Sequence, residues 1–242
     1  MATSLSGPLQ VIGADVLSNS TVQAHPLGSY AETPDGRGFR YFLNGAVATV
    51  AGKVYQNKAL DATNDQVSGG HAVAAAAIGA LEVTTTATMT VTANEFAGGY
   101  LSVVVTPGQG YTYRIKSHPA ASGAAVTMTL EDPIVVALTT SSRVIWAQHP
   151  YSGCVITPAA ATGTIAGVAT GIVAAGHYGW LQVNGPCAVL FTGTGVAGLG
   201  VGVLASGTSG SCAPAVAATA SFGNHLATGI TGEYSLINLN IG

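Results

Sequence analysis

Six histidines, three cysteines and ten carboxylates are the side chains with which this 242-residue chain would have to do chemistry, and their spacing works against it. His25, His71, His118, His149, His177 and His225 are isolated from one another, and none has a second His or Cys at metal-ligand spacing. The one remaining route to a metal site is a symmetry axis that gathers copies of a single histidine, and no metal or other cofactor is expected. Cys154, Cys187 and Cys212 make an odd number without knuckle spacing, so they read as small buried apolar residues of a protein made in a reducing cytoplasm.

Glu131 and Asp132 are adjacent, so on a strand they point to opposite faces and cannot form a facing acid–base pair. Beyond Asp132 the only carboxylate is Glu233, which leaves little to orient a histidine for nucleophilic catalysis. Gly207-Thr208-Ser209-Gly210 lacks the glycine spacing of a nucleophile elbow. Gly193-Thr194-Gly195-Val196-Ala197-Gly198 spells a dinucleotide fingerprint, but Gly200 and Gly202 oppose the helix that such a site needs. No enzymatic activity is expected. Asn19-Ser20-Thr21 is a glycosylation sequon, but Met1–Gly13 lacks the basic and apolar regions of a secretory signal, so no route to modification is expected.

Charged residues are 7% of the chain and apolar ones 48%, whereas ordinary soluble domains carry about 25% charged residues. A core can form, but the surface must be covered by Thr, Ser, Asn, Gln and Gly. Such a surface repels its own copies weakly, and it reads as one built to be covered by neighbours. The net charge is −3 and there is no basic cluster, so direct nucleic-acid binding is not expected. Cys154–Gly176 is interrupted by Pro158, glycines and threonines, so no membrane helix is expected.

The elements that would hold these residues read as mainly β. Thirty-three glycines and turn signals at short intervals favour short antiparallel strands in one or two small barrels or sandwiches, with little helix. Val83–Thr92 alternates, with Val83, Thr85, Ala87, Met89 and Val91 on one face and threonines on the other, which predicts one half-buried strand. Strands are also predicted over 39–43, 46–50, 53–56, 100–105, 111–116, 126–130, 134–138, 143–147, 155–157, 165–170, 179–183, 187–191, 200–205 and 234–241. Residues 57–70 read as a polar loop.

The chain divides into three regions on this reading. Residues 1–33 read as an extended N-terminal arm, broken by Gly7-Pro8 and His25-Pro26. Residues 34–148 read as a β-rich domain. Residues 149–242 read as a charge-poor barrel-like or sandwich domain, because Glu233 is the only formal charge after residue 150.

Several blocks resemble the head-decoration, or capsid cement, proteins of tailed bacteriophages. They include His25-Pro26-Leu27-Gly28, Asp35-Gly36-Arg37-Gly38-Phe39-Arg40-Tyr41, Tyr111–Ala120, Leu130-Glu131-Asp132-Pro133-Ile134, Tyr178-Gly179-Trp180-Leu181-Gln182 and Gly232-Glu233-Tyr234. The resemblance implies a virion protein on the capsid surface, often a homotrimer, that binds the major capsid protein and cements neighbouring capsomers. His25, Pro26, Leu27, Arg37, Phe39, Arg40 and Tyr41 are the expected contact residues. Other virion roles, such as coat, tail or fibre, are alternatives. A host-surface glycan-binding module using Tyr100, Tyr111, Tyr113, Tyr178 and Trp180 is another.

Overall fold

The computed structural model of the chain describes residues 9–59, 69–86, 89–203, 207–216 and 221–241. Residues 1–8 of the expected arm, most of the expected loop 57–70, Ala87 and Thr88, and Leu204–Ser206 at the end of an expected strand lie outside them. The fold is mainly β, with one four-residue helix, Gly13–Val16, among the described residues.

The chain forms two compact units, Met1–Ala59 with Pro150–Gly242, and Leu60–His149. The expected boundary at 148/149 lies one residue from the observed break. The expected division at 33/34 does not appear, and residues 34–59 join the C-terminal unit. Strand pairing is the cause: Gly38–Leu43 pairs with Tyr178–Leu190, and Val54–Gln56 pairs with Val155–Ile156 and Ile165–Ala169.

The discontinuous unit is organised by the strand Tyr178–Leu190. One edge of its first half pairs with Gly38–Leu43, and the other edge pairs with Ile165–Ala169 and then with Tyr234–Asn240. The sheet continues through Gly223–His225, Gly200–Gly202 and Ala213–Pro214. Sequence patterning predicts two strands here, 179–183 and 187–191. The strand instead runs through: Gln182 is fully buried, and its Nε2 donates to the Asn184 and Pro186 carbonyls at 3.0 and 2.9 Å. That side chain satisfies the backbone where Gly185 takes φ +83° and Pro186 has no N–H to donate.

Gly167 shows why a glycine is needed within a strand. It sits at a register shift opposite Val54–Gln56, and a Cβ there would come 2.8 Å from Leu181 Cβ. Three apolar clusters fill this unit, the largest built on Val54, Val189, Phe191, Ile237 and Leu239.

The expected extended arm instead carries the four-residue helix and is docked. Leu9–Gln10 pairs with Tyr30–Glu32, which pairs with Gly38–Leu43. Val16 and Ala31 are buried in one cluster with Phe39, Tyr41 and Trp180.

The continuous unit is a closed barrel. Its strands run His71–Ala72, Arg143–Ala147, Tyr100–Val105, Thr112–Ser117, Thr127–Leu130 and Glu82–Thr84 around the sheet. Closure comes from a Val73–Thr85 bridge, with Ala74 N–H donating to Thr84 O and Thr86 N–H to Ala72 O, each at 2.8 Å. A closed sheet has no free edge. Leu101, Ile115, Met128, Leu130, Val144 and Trp146 fill the interior.

Three more expected strands differ, the first being 46–50, which is irregular backbone where the Thr49 hydroxyl donates to Gly171 O and the Val50 N–H donates to the Tyr55 hydroxyl. The stretch 83–92 is two strands, Glu82–Thr84 in the barrel and Met89–Val91 paired with Ala121–Ala124. Residues 134–138 form no strand; Ile134 and Leu138 are buried beside Ala76 and Ala80, exchanging backbone bonds with that segment.

Candidate partner-contact site

The seven expected contact residues all fall in the discontinuous unit, but they do not share one exposed patch. Phe39 and Tyr41 share one face of Gly38–Leu43 and are buried there with Trp180. They are core residues. Arg40 is turned back on its own unit: Nη1 donates to Gly28 O at 2.9 Å, and the guanidinium lies over the Tyr30 ring. Arg37 pairs with Asp35 at 2.8 Å on the surface. The Thr33 hydroxyl and Arg37 hold the Asp35 carboxyl below its ordinary range. Pro26 is exposed, and His25 and Leu27 are half-buried.

His25 is the one of these residues, besides Tyr41, that borders an aromatic cavity. It meets Tyr41 edge-on at 5.2 Å and Trp180 at 5.5 Å, and Tyr178 stacks on Tyr41 at 5.9 Å. A concavity of about 250 Å³ lies against these rings, with Asp15, Ser18, Asn19 and Ser20 on its other side. Ser20 and Tyr178 exchange two backbone hydrogen bonds, which hold residues 19–25 in place. The Tyr41 hydroxyl accepts the Ala24 N–H at 3.0 Å. The sequence marks Tyr178 and Trp180 as aromatic candidates but groups them with Tyr100, Tyr111 and Tyr113. The structure puts those three in the barrel unit, and Tyr178 and Trp180 in the discontinuous one. His25 and Tyr41, which the sequence marks only through the decoration-protein blocks, are the true neighbours.

A second surface is not legible in the sequence. It is the outer face of the strands Tyr178–Leu190, Tyr234–Asn240 and Gly223–His225. Asn184, Pro186 and Ala188 point outward from the first, Tyr234, Leu236, Asn238 and Asn240 from the second, and Asn224 from the third. Register aligns them in rows: Ala188 beside Leu236, Pro186 beside Asn238 beside Asn224, Asn184 beside Asn240. No outward residue of these rows is charged. A concavity of about 420 Å³ flanks them, lined by Gly52, Ala169, Pro186, Tyr234 and Leu236 and by Arg37. The signal available in the sequence is the alternation of Tyr234–Asn240, but alternation does not say which strand lies alongside.

Among the described residues, His225 and the three cysteines are buried. His225 Nδ1 lies 3.2 Å from Ser235 Oγ, but both residues are buried, with His225 edge-on to Phe191. Burial holds the His225 pKa below its ordinary value. All three cysteines are free and buried, and burial pushes each thiol up to about 12, which disfavours the thiolate. Gly193–Gly198 contains the short strand Thr194–Gly195, paired with Gly229–Ile230, instead of a helix start. Among the described residues no three His, Cys, Asp or Glu side chains cluster as metal ligands. No helix among them is long and apolar enough to cross a membrane.

Comparison with known proteins returns no match to any family model, curated protein or solved structure.

Proposed function

We propose that the chain is a structural protein of a tailed-phage particle, attached to the outer surface of the head as a symmetric oligomer, a trimer, that cements neighbouring capsomers. The observation that carries this reading is the uncharged outer sheet face. Tyr234 is 53% and Leu236 44% exposed on it, none of its outward residues is charged, and Arg37 lines the concavity beside it. An apolar centre with a polar rim is the anatomy of a protein–protein interface. Covering it costs little desolvation, because no ion loses its water. The sequence blocks that resemble decoration proteins supply the identity of the partner, the major capsid protein. Buried areas of about 1,200–2,000 Å² per contact would hold such an assembly.

Quantitative mass spectrometry of purified particles tests the reading. The chain is expected in numbers comparable to the coat protein and removable without loss of the coat lattice. A few copies confined to the tail would reject decoration in favour of a tail or fibre role.

The aromatic cavity favours a second reading, binding of a host-surface glycan, since ring faces beside Asp15 and Asn19 suit a sugar. Tyr178→Ala is the informative variant, because Trp180 is only 5% exposed and supports the core. Specific glycan binding that Tyr178→Ala abolishes would establish this role.

A further inference from the structure

We infer that the uncharged sheet face is where copies of the chain meet, lining the symmetry axis of their assembly. The occupant is a second copy of the same face. This deepens the reading of the chain as one member of a symmetric assembly and rests on it.

Residues close to a rotation axis contact their own counterparts, so a charge there is set against an identical charge. The face formed by the outward residues of Tyr178–Leu190, Tyr234–Asn240 and Gly223–His225 carries no charge to set against itself. Other surfaces do. The outward positions of the barrel strands include Glu82, Arg114, Lys116 and Arg143, and in the discontinuous unit Glu32 and Arg40 lie on neighbouring paired strands.

Four asparagines, Asn184, Asn224, Asn238 and Asn240, add a second argument. Their side chains are exposed, and no side-chain hydrogen bond ties them to the described residues. They are grouped by register, Asn184 beside Asn240 and Asn224 beside Asn238. An amide carries both donor and acceptor, so an Asn row can satisfy a copy of itself, which a carboxylate or ammonium row cannot. Apolar Tyr234, Leu236 and Ala188 lie beside the amides and supply the area that drives association.

The test uses the purified full-length chain without particles. Native mass spectrometry and light scattering at micromolar concentration are expected to show a closed oligomer. Leu236→Lys places an ammonium at the centre of the face, and Asn238→Asp places a carboxylate in the amide row without changing size. Each is expected to weaken association by about a hundredfold or more, because like charges would be buried unpaired. Val135→Lys, on the exposed surface of the barrel unit, is the control and is expected to leave the oligomer intact. Circular dichroism checks that each variant is folded, and Asn238→Asp decides if Leu236→Lys is not. A monomeric wild-type chain, or an oligomer indifferent to both substitutions, overturns the inference. Particle attachment is measured separately. A monomer that still decorates heads removes the inference and leaves the proposed attachment standing, and an oligomer that ignores heads does the reverse.

Discussion

His149 closes the barrel unit at its last residue, stacked near Tyr100 at 6.3 Å and buried. Burial, and then the positive Arg114, lower its pKa from 6.5 to about 4. Proton counting gives the sign of the consequence. The unfolded chain takes up a proton near the ordinary value, while the folded unit refuses it until about pH 4. The stability held by neutral His149 is therefore complete above the ordinary value, declines as pH falls through this window, and is lost below it. The full effect is at most about 3 kcal/mol, and less to the extent that solvent screens the ring. Urea midpoints at about pH 7 and about pH 5, compared between the wild type and His149→Gln, measure it. The substitution is expected to flatten the barrel unit's loss of stability on acidification, and an unchanged difference between the two pH values would refute the assignment. The same residue shows what single-residue reading leaves out. The sequence presents His149 as isolated and beside Pro150, but its burial depends on Tyr100 and its charge environment on Arg114, both distant along the chain. Gln182 makes the same point: nothing in the letters Gln-Val-Asn-Gly-Pro says that the amide will cap two carbonyls and join two expected strands into one.

At the scale of elements, alternation is a good guide to which side chains are buried and a poor guide to pairing. Val83, Thr85 and Val91 are buried and Thr86, Thr90 and Thr92 exposed, as the pattern predicts, yet the stretch serves two different sheets. Period-two alternation fixes a face, whereas a partner strand is chosen by contacts far along the chain. The N-terminal segment is the clearest case. Its prolines and glycines read as a free arm, and only the pairing of Tyr30–Glu32 with Gly38–Leu43 reveals that it completes a core. A truncation that removes residues 1–25 would take away Leu9–Gln10, Val11 and buried Val16. Loss of these apolar contacts is expected to lower the stability of the discontinuous unit by about 3 kcal/mol or more. Denaturant unfolding of the truncated chain measures this, and a midpoint equal to that of the intact chain would show the segment to be a dispensable arm. Weakened particle attachment by such a truncation would consequently report damaged folding as well as lost contacts, so substitution at exposed Pro26 is the cleaner probe of that surface.

Over the whole molecule, the chain leaves one unit at Ala59, builds another, and returns at Pro150. The charge step near residue 150 marks the return. The departure is marked by a change in the sign of the charge: residues 34–59 hold four Lys and Arg against one acid, and residues 60–149 hold three against six. Each apolar cluster draws its buried residues from a single unit. The fifteen buried side chains of the barrel cluster all lie between Val73 and Trp146, and the other three clusters lie wholly outside that interval. The barrel's backbone hydrogen bonds likewise close within itself, through the Val73–Thr85 bridge. A segment that owns its core and closes its six-stranded sheet on itself has what independent folding requires. Residues 60–149 expressed alone are expected to fold as a monomer with a cooperative melting transition, and the full chain is expected to show that same transition beside a second one. Acidification toward pH 5 should lower the fragment's transition, and His149→Gln should remove most of that shift, because the depressed histidine travels with the barrel. The monomeric fragment also isolates the assembly face, which lies on strands it does not contain. A fragment that remains unfolded, or that oligomerises as the full chain does, would show that the barrel depends on contacts with the rest of the chain or that association runs through the barrel instead of the amide-lined sheet.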